Sequence, residues 1–249
     1  MEREFYELRC YRMHAGTRLT TAVNPERLHG YLAGALLPAL KKHRVGPVGV
    51  FTELTVDKAT GSSAPLVHSP VWMLTPFSSM EAFVRTSMET VHDPEVQRAG
   101  REYLHTPKSS PAFERIDSWF LIAFPGHPYL QLPAFSRDRV PTRVFEMRDY
   151  ESHSEERALN KIAMFDDGET ALMQDLGMSP VFYGQALTGP DLPHMRYMTS
   201  GPDLASHLAN WRKFGPDPRW EKMKNLPEYA DNTSRNTARF LVPTAYSEI

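Results

Sequence analysis

The chain opens on alternation. From Arg3 to Arg12 apolar and polar side chains take turns, which is the two-residue period of a half-buried strand. Asn24-Pro25 then signals a helix, with Asn as the cap and Pro at the first helical position. Leu28, Tyr31, Leu32, Ala35, Leu36 and Leu40 follow at steps of three and four and form one apolar stripe. The stripe ends near Lys41-Lys42-His43, where positive charge suits the negative end of the helix dipole. Segments 47–56 and 67–75 are rich in β-branched and aromatic residues and predict two strands, with a polar loop over 57–65 between them. Ser78-Ser79 caps a second helix carrying Met80, Phe83 and Val84, Asp93-Pro94 starts a further helical stretch, and 115–124 reads as a fourth strand. The order is β-α-β-β-α-β, the ferredoxin-like unit.

The pattern then returns. Phe5-Tyr6-Glu7-Leu8-Arg9-Cys10-Tyr11 is answered by Val144-Phe145-Glu146-Met147-Arg148-Asp149-Tyr150, with Glu, Arg and Tyr at an offset of 139 (146 minus 7). Gly46-Pro47-Val48 answers Ser179-Pro180-Val181 at 133, and Asp93-Pro94 answers Asp217-Pro218 at 124. An offset that shrinks in steps describes two diverged copies, the second with shorter loops. The second copy repeats the elements, with strands over 142–151, 180–186, 194–199 and 237–242 and helices over 154–175, 202–214 and 218–225. The expected organisation is a first ferredoxin-like repeat over 1–124, a proline-bearing connection over 125–141 and a second repeat over 142–249.

The helices of such a unit cover one face of its sheet and leave the other bare. Yet Val48, Val50 and Phe51, Val71, Trp72 and Met73, and Trp119, Phe120 and Leu121 put apolar side chains on both faces. Such strands need cover on both sides. Burying the two bare faces together supplies it, so the fold class expected is α+β, two repeats pairing antiparallel sheets into one α/β barrel. With Leu8 and its neighbours, Cys10 among them, turned to the helices, Glu7, Arg9, Tyr11, Glu146, Arg148 and Tyr150 are expected inside that barrel, where each charge needs a partner.

The motifs resemble those of the NIPSNAP family. They include the opening Phe-Tyr-Glu-Leu-Arg-x-Tyr, Gly46-Pro47-Val48-Gly49-Val50-Phe51 and Pro180-Val181-Phe182-Tyr183-Gly184. Leu187-x-Gly189-Pro190-x-Leu192-Pro193-x-x-x-Tyr197-Met198, Trp211-x-x-Phe214-x-x-Asp217-Pro218-x-Trp220 and Pro243-x-x-Tyr246-Ser247-x-Ile249 continue it in order. The resemblance implies the dimeric α/β-barrel superfamily with both halves in one polypeptide. That superfamily spans cofactor-free monooxygenases, isomerases, lactone-forming enzymes and haem proteins, and a fold alone does not choose among them.

Composition narrows the picture by exclusion. A length of 249 residues suits two units, and a formal charge of −2 leaves no footprint for nucleic acid. No apolar run approaches the ~20 residues of a membrane span. A single cysteine, Cys10, rules out an internal disulfide framework or a cysteine-rich metal site. This fits a cytoplasmic protein, and equally one exported after removal of a leader. There is no GxGxxG, P-loop lysine, HExxH or GxSxG motif, and the ten histidines are scattered, so neither a cofactor nor a metal is expected.

The candidate catalytic residues are Glu7 and Glu146 as bases, with Tyr11 and Tyr150 to orient a ligand or donate a proton. Arg9 and Arg148 would hold an anionic or carbonyl group, and His68, Trp72 and Tyr183 would line the pocket. His68 pairs with His194 at the start of the third strand of each copy. Two readings follow. One is a protein that binds a small apolar or partly anionic molecule in the barrel, as a cofactor-independent oxygenase or isomerase. The other is a binding or scaffold protein with a filled barrel, in which the repeated ions only fix the register of the two halves. A homodimer through the outer edges fits either.

Overall fold

The computed structural model describes residues 2–13 and 23–249, and His14 lies outside them. Two β-α-β-β-α-β passes follow one another. The first has strands β1 (Phe5–Arg12), β2 (Gly49–Val56), β4 (Val71–Phe77) and β5 (Arg115–Ala123); the second has β6 (Val144–Glu151), β7 (Ser179–Thr188), β8 (His194–Gly201) and β9 (Arg235–Pro243). One short strand, β3 (Ser63–Pro65), pairs with the end of β2 inside the segment that the sequence reads as loop. Its three backbone-paired residues are all exposed, so no hydrophobic period announced it.

The strand order is β2-β4-β1-β5-β7-β8-β6-β9, and β9 returns to β2. Every pairing is antiparallel. The two sheets therefore join edge to edge, at β5–β7 (Leu121 opposite Ala186) and at β2–β9 (Glu53 opposite Leu241), and close one barrel. Closure satisfies the edge amides that each open sheet would leave unpaired.

Helices pack outside. Asn24, Ser79, Ser154 and Asp203 cap them, each side chain accepting from a backbone N–H two or three residues on. The long first helix of each copy, 25–42 and 155–175, contains one π-helical turn, at Leu32–Leu36 and at Phe165–Glu169. These turns sit 133 residues apart (165 minus 32), the offset already seen between Gly46-Pro47-Val48 and Ser179-Pro180-Val181. The duplication extends to an irregularity that no propensity argument predicts.

The side each strand turns inward corrects the sequence reading. Tyr6, Leu8 and Cys10 point into the barrel and join Phe51, Leu74, Leu121, Phe145, Met147 and Met198 from both halves. Tyr11 packs instead with Leu28, Leu32 and Leu36 beneath the helices of the first copy, and Tyr183 and Tyr197 pack with Phe165 and Met173 beneath those of the second. The barrel demands its own apolar lining, so Leu8 goes in and the charged partners of the same strand go out to the helix layer. One end of the barrel is stoppered by Ile249, with Leu130 and Leu132 from the connection against the same core.

Because one interior is built by both halves, the two should unfold together. Leu8, wholly buried in that interior, should cost about 2–5 kcal/mol when cut to alanine. The shift should be read equally by Trp72 and Trp119 in the first copy and by Trp211 and Trp220 in the second. Urea unfolding of single-tryptophan variants checks this; separate midpoints for the two halves would contradict a shared core.

Candidate functional site at the barrel mouth

Among the described residues, the end of the barrel opposite Ile249 is open. There β1 and β6 finish, and a pocket of about 540 Å³ is lined by Cys10, His68, Trp72, Trp119, Asp149, His194, Arg196 and Arg239, with further charged groups at the rim. Strand register explains who arrives. Cys10 stands opposite Trp72, and Asp149 stands opposite Arg196.

Register also shows how the copies diverged here. Glu7 pairs with Thr75 and Phe120, and Glu146 pairs with Thr199 and Phe240, which fixes the equivalent positions. On that frame Cys10 corresponds to Asp149, Trp72 to Arg196 and Trp119 to Arg239. The first copy builds an apolar, aromatic wall; the second builds a charged one at the same three places.

The two walls meet. The Arg196 guanidinium lies 4.1 Å from the Trp119 ring centroid, and that of Arg239 lies 5.3 Å from Trp72. The tryptophans stack at 5.8 Å. Trp72 Nε1 donates to Glu53 Oε1 at 2.7 Å, and Trp119 Nε1 donates to the Pro190 carbonyl at 3.0 Å. Gly189 makes that second bond available: its φ of +131° suits only glycine, and a Cβ there would come within 2.5 Å of the Trp119 ring.

Asp149 ties the charged wall. It accepts from Arg196 Nε, from Arg239 Nη1 at 2.6 Å and from the Thr237 hydroxyl at 3.1 Å. Burial alone would raise its carboxyl, but the two guanidiniums hold it below the ordinary value. Arg196 is 3% exposed and its Nη1 has no hydrogen-bond partner among the described residues. His194 is similar. Its Nδ1 lies 3.0 Å from the Asp191 carbonyl, which can only accept, so Nδ1 carries the proton. Nε2 is left as a bare lone pair, buried and without a partner among the described residues. Burial and the nearby Arg196 charge lower the His194 pKa, which keeps the ring neutral at pH 7. Burial, with Asp117 and Glu53 nearby, pushes the Cys10 thiol up to about 12, so it stays protonated. Contrary to expectation it faces this pocket rather than the helices.

Of the sequence candidates, His68 and Trp72 line the mouth and His194 joins them. Glu7, Arg9, Tyr11, Glu146, Arg148, Tyr150 and Tyr183 do not. Glu7 accepts from Arg9 Nε at 2.7 Å under the first copy's helices. Glu146, wholly buried, accepts a hydrogen bond from His207 Nε2 at 2.8 Å, and Arg148 lies 4.5 Å from the Trp211 centroid. Tyr150 packs on Phe165 and Tyr197, and Tyr183 on Phe124. Asp149, Arg196 and Arg239 went unsingled in the sequence because nothing there repeats: they are the positions at which the copies differ.

Among the described residues no group of three or more His, Cys, Asp or Glu is arranged to hold a metal, and no helix is long and apolar enough to cross a membrane.

The barrel resembles known ones. A candidate monooxygenase from Lactobacillus acidophilus NCFM superposes with a TM-score of 0.55 at 9% identity, covering 97% of this chain and 94% of that one. A candidate monooxygenase from Fusobacterium nucleatum subsp. nucleatum gives 0.54 at 7% identity, over 97% and 92%. An anthrone oxidase-like protein gives 0.50 at 10%, over 97% and 92%. At these identities the likeness is one of fold. No curated protein matches the sequence.

Asp149 gives a pH prediction. Its folded pKa lies below its unfolded value, so its stabilisation is full above the unfolded pKa of about 4 and is lost as pH falls through the folded one. Asp149→Asn should cost about 3–5 kcal/mol at pH 7 by stranding Arg196. The gap from the parent should close below about pH 4, in urea titrations run from pH 7 to pH 2.

Residues 145–248, in the second half of the chain, match the NIPSNAP family model.

Proposed function

We propose that the barrel mouth binds a planar, weakly acidic molecule, a phenol or an enolisable carbonyl compound, and removes a proton from it. The observation that carries this reading is the divergence of three equivalent positions into an aromatic wall, Cys10, Trp72 and Trp119, facing a charged one, Asp149, Arg196 and Arg239. A solid structural barrel has no need of such a split. Trp72 and Trp119 give the pocket an aromatic wall against which a planar ligand can lie. Arg196 Nη1 is the donor for the oxygen on which negative charge develops, and Asp149 holds that guanidinium in place.

His194 is the base this reading assigns. A neutral imidazole whose Nδ1–H is committed to a carbonyl has its basic lone pair on Nε2. Both Nε2 and Arg196 Nη1 are sealed from solvent, and a buried polar group without a partner costs about 1–3 kcal/mol. A ligand entering between the tryptophans and Arg196 would uncover and satisfy them. The stabilised anion is the species that a cofactor-independent oxygenase passes to dioxygen and that an isomerase reprotonates elsewhere. That two barrels of this shape are described as candidate monooxygenases, and a third as anthrone oxidase-like, supports the first route by analogy of fold.

The test uses a panel of polyphenols and 1,3-dicarbonyl compounds, with quenching of tryptophan fluorescence for binding and an oxygen electrode for turnover. Arg196→Met should weaken binding about 10- to 150-fold, the worth of a charged hydrogen bond. His194→Gln should keep binding and lose turnover. Equal affinity in Arg196→Met would end this reading, and binding without turnover would leave a ligand-binding protein rather than an enzyme.

A further inference from the structure

A second cavity, of about 170 Å³, lies on the other side of the sheet, between β1, β4 and the helices 25–42 and 80–92. Glu7, Arg9, Tyr31, Thr86, Ser87 and Thr90 are among its lining residues. It therefore contains one copy of the duplicated Glu-x-Arg pair, and comparison with the other copy shows what it lacks.

The helices over that pair can be aligned by their caps. Ser79 and Asp203 each accept from the backbone N–H of the third residue on, at an offset of 124 (203 minus 79). Asp93 and Asp217, which cap the next helices, keep the same offset. On that alignment Phe83, Ser87 and Thr90 stand where the second copy has His207, Trp211 and Phe214.

In the second copy those residues complete the pair. His207 Nε2 donates to Glu146 at 2.8 Å, the Trp211 ring lies 4.5 Å from the Arg148 guanidinium, and Phe214 packs on Trp211 at 5.3 Å. In the first copy none of the three aligned residues makes a described contact with the pair. Phe83 turns away to Phe77 and Phe120, and Ser87 and Thr90 are too short to fill the space. Glu7 receives Arg9 Nε at 2.7 Å and the Ser118 hydroxyl at 3.1 Å, both on Oε1. The hydroxyls of Thr86 and Thr90, 1% and 5% exposed, have no hydrogen-bond partner among the described residues.

We propose that this cavity binds a small planar heteroaromatic bearing an N–H, of imidazole to indole size, which supplies from outside the groups that the second copy carries as His207 and Trp211. The ligand N–H donates to the second oxygen of the Glu7 carboxylate, as His207 does to Glu146. Its ring faces the Arg9 guanidinium within ~6 Å, as Trp211 faces Arg148. Leu36, Leu40 and Met73 enclose its apolar edge, and Thr86 and Thr90 meet any further polar atom. At about 30 Å³ per water the cavity would otherwise hold several solvent molecules, the space of a one- or two-ring heterocycle. The sheet separates this site from the barrel mouth, so the inference stands independently of the mouth's ligand.

Indole and imidazole are the probes, titrated calorimetrically against the full chain carrying Arg196→Met, which disables the mouth. Saturable binding of one probe is expected. Ser87→Trp, which copies the second half into the first, should weaken it at least tenfold and raise the melting temperature. Thr90→Phe, the other residue taken from the second copy, should act in the same direction. A crystal soaked with indole should place the ring between Arg9 and Ser87. The inference is overturned if neither probe saturates, if a folded Ser87→Trp or Thr90→Phe variant binds as well as its parent, or if the soaked ring lies elsewhere.

Discussion

Closure of the barrel is the constraint from which the rest descends. Each half presents two strand edges, and an unpaired edge invites association. Here β5 takes β7 and β2 takes β9, so the four edges satisfy one another within a single chain. A closed barrel has an inside, and that inside must be filled. Tyr6, Leu8, Phe51, Leu74, Phe145 and Met147 fill it from both halves. At the end where β1 and β6 finish, the interior widens among the described residues into a pocket whose walls belong to different copies.

The filled interior decides where the repeated charges go. A strand turns alternate residues to opposite faces. Once Leu8 and Met147 are claimed by the barrel, Glu7, Arg9, Glu146 and Arg148 must sit under the helices. Buried there, they need partners. The second copy provides them in His207 and Trp211, and the first pairs Glu7 with Arg9 and Ser118 and leaves a space above them. The repeated motif thus belongs to the joint between sheet and helix. The chemistry at the mouth belongs to the position inside the motif that does not repeat, Cys10 in one copy and Asp149 in the other.

This divergence gives the fused chain something that two identical halves cannot have. Two copies of one subunit would place the same side chains on both walls of the mouth. Here Trp72 and Trp119 face Arg196 and Arg239, and the carboxylate of Asp149 binds both guanidiniums. An amphipathic pocket discriminates ends of a ligand, which a symmetric one does not.

Local order determined a good deal by itself. The period of β1, the caps at Asn24 and Ser79, and the falling offset between the copies carry the element order and the duplication, because these depend on residues a few positions apart. Covered faces on both sides of the strands likewise implied a barrel. What only the tertiary structure decided is which face turns inward. With apolar side chains on both sides of β1, alternation marks two sets of residues without saying which set meets the helices, and a wrong choice carries every side chain to the opposite face. Register across the sheet, not order along the chain, brought Asp149 to Arg196 and laid Arg196 against Trp119, since those contacts depend on which strands lie side by side.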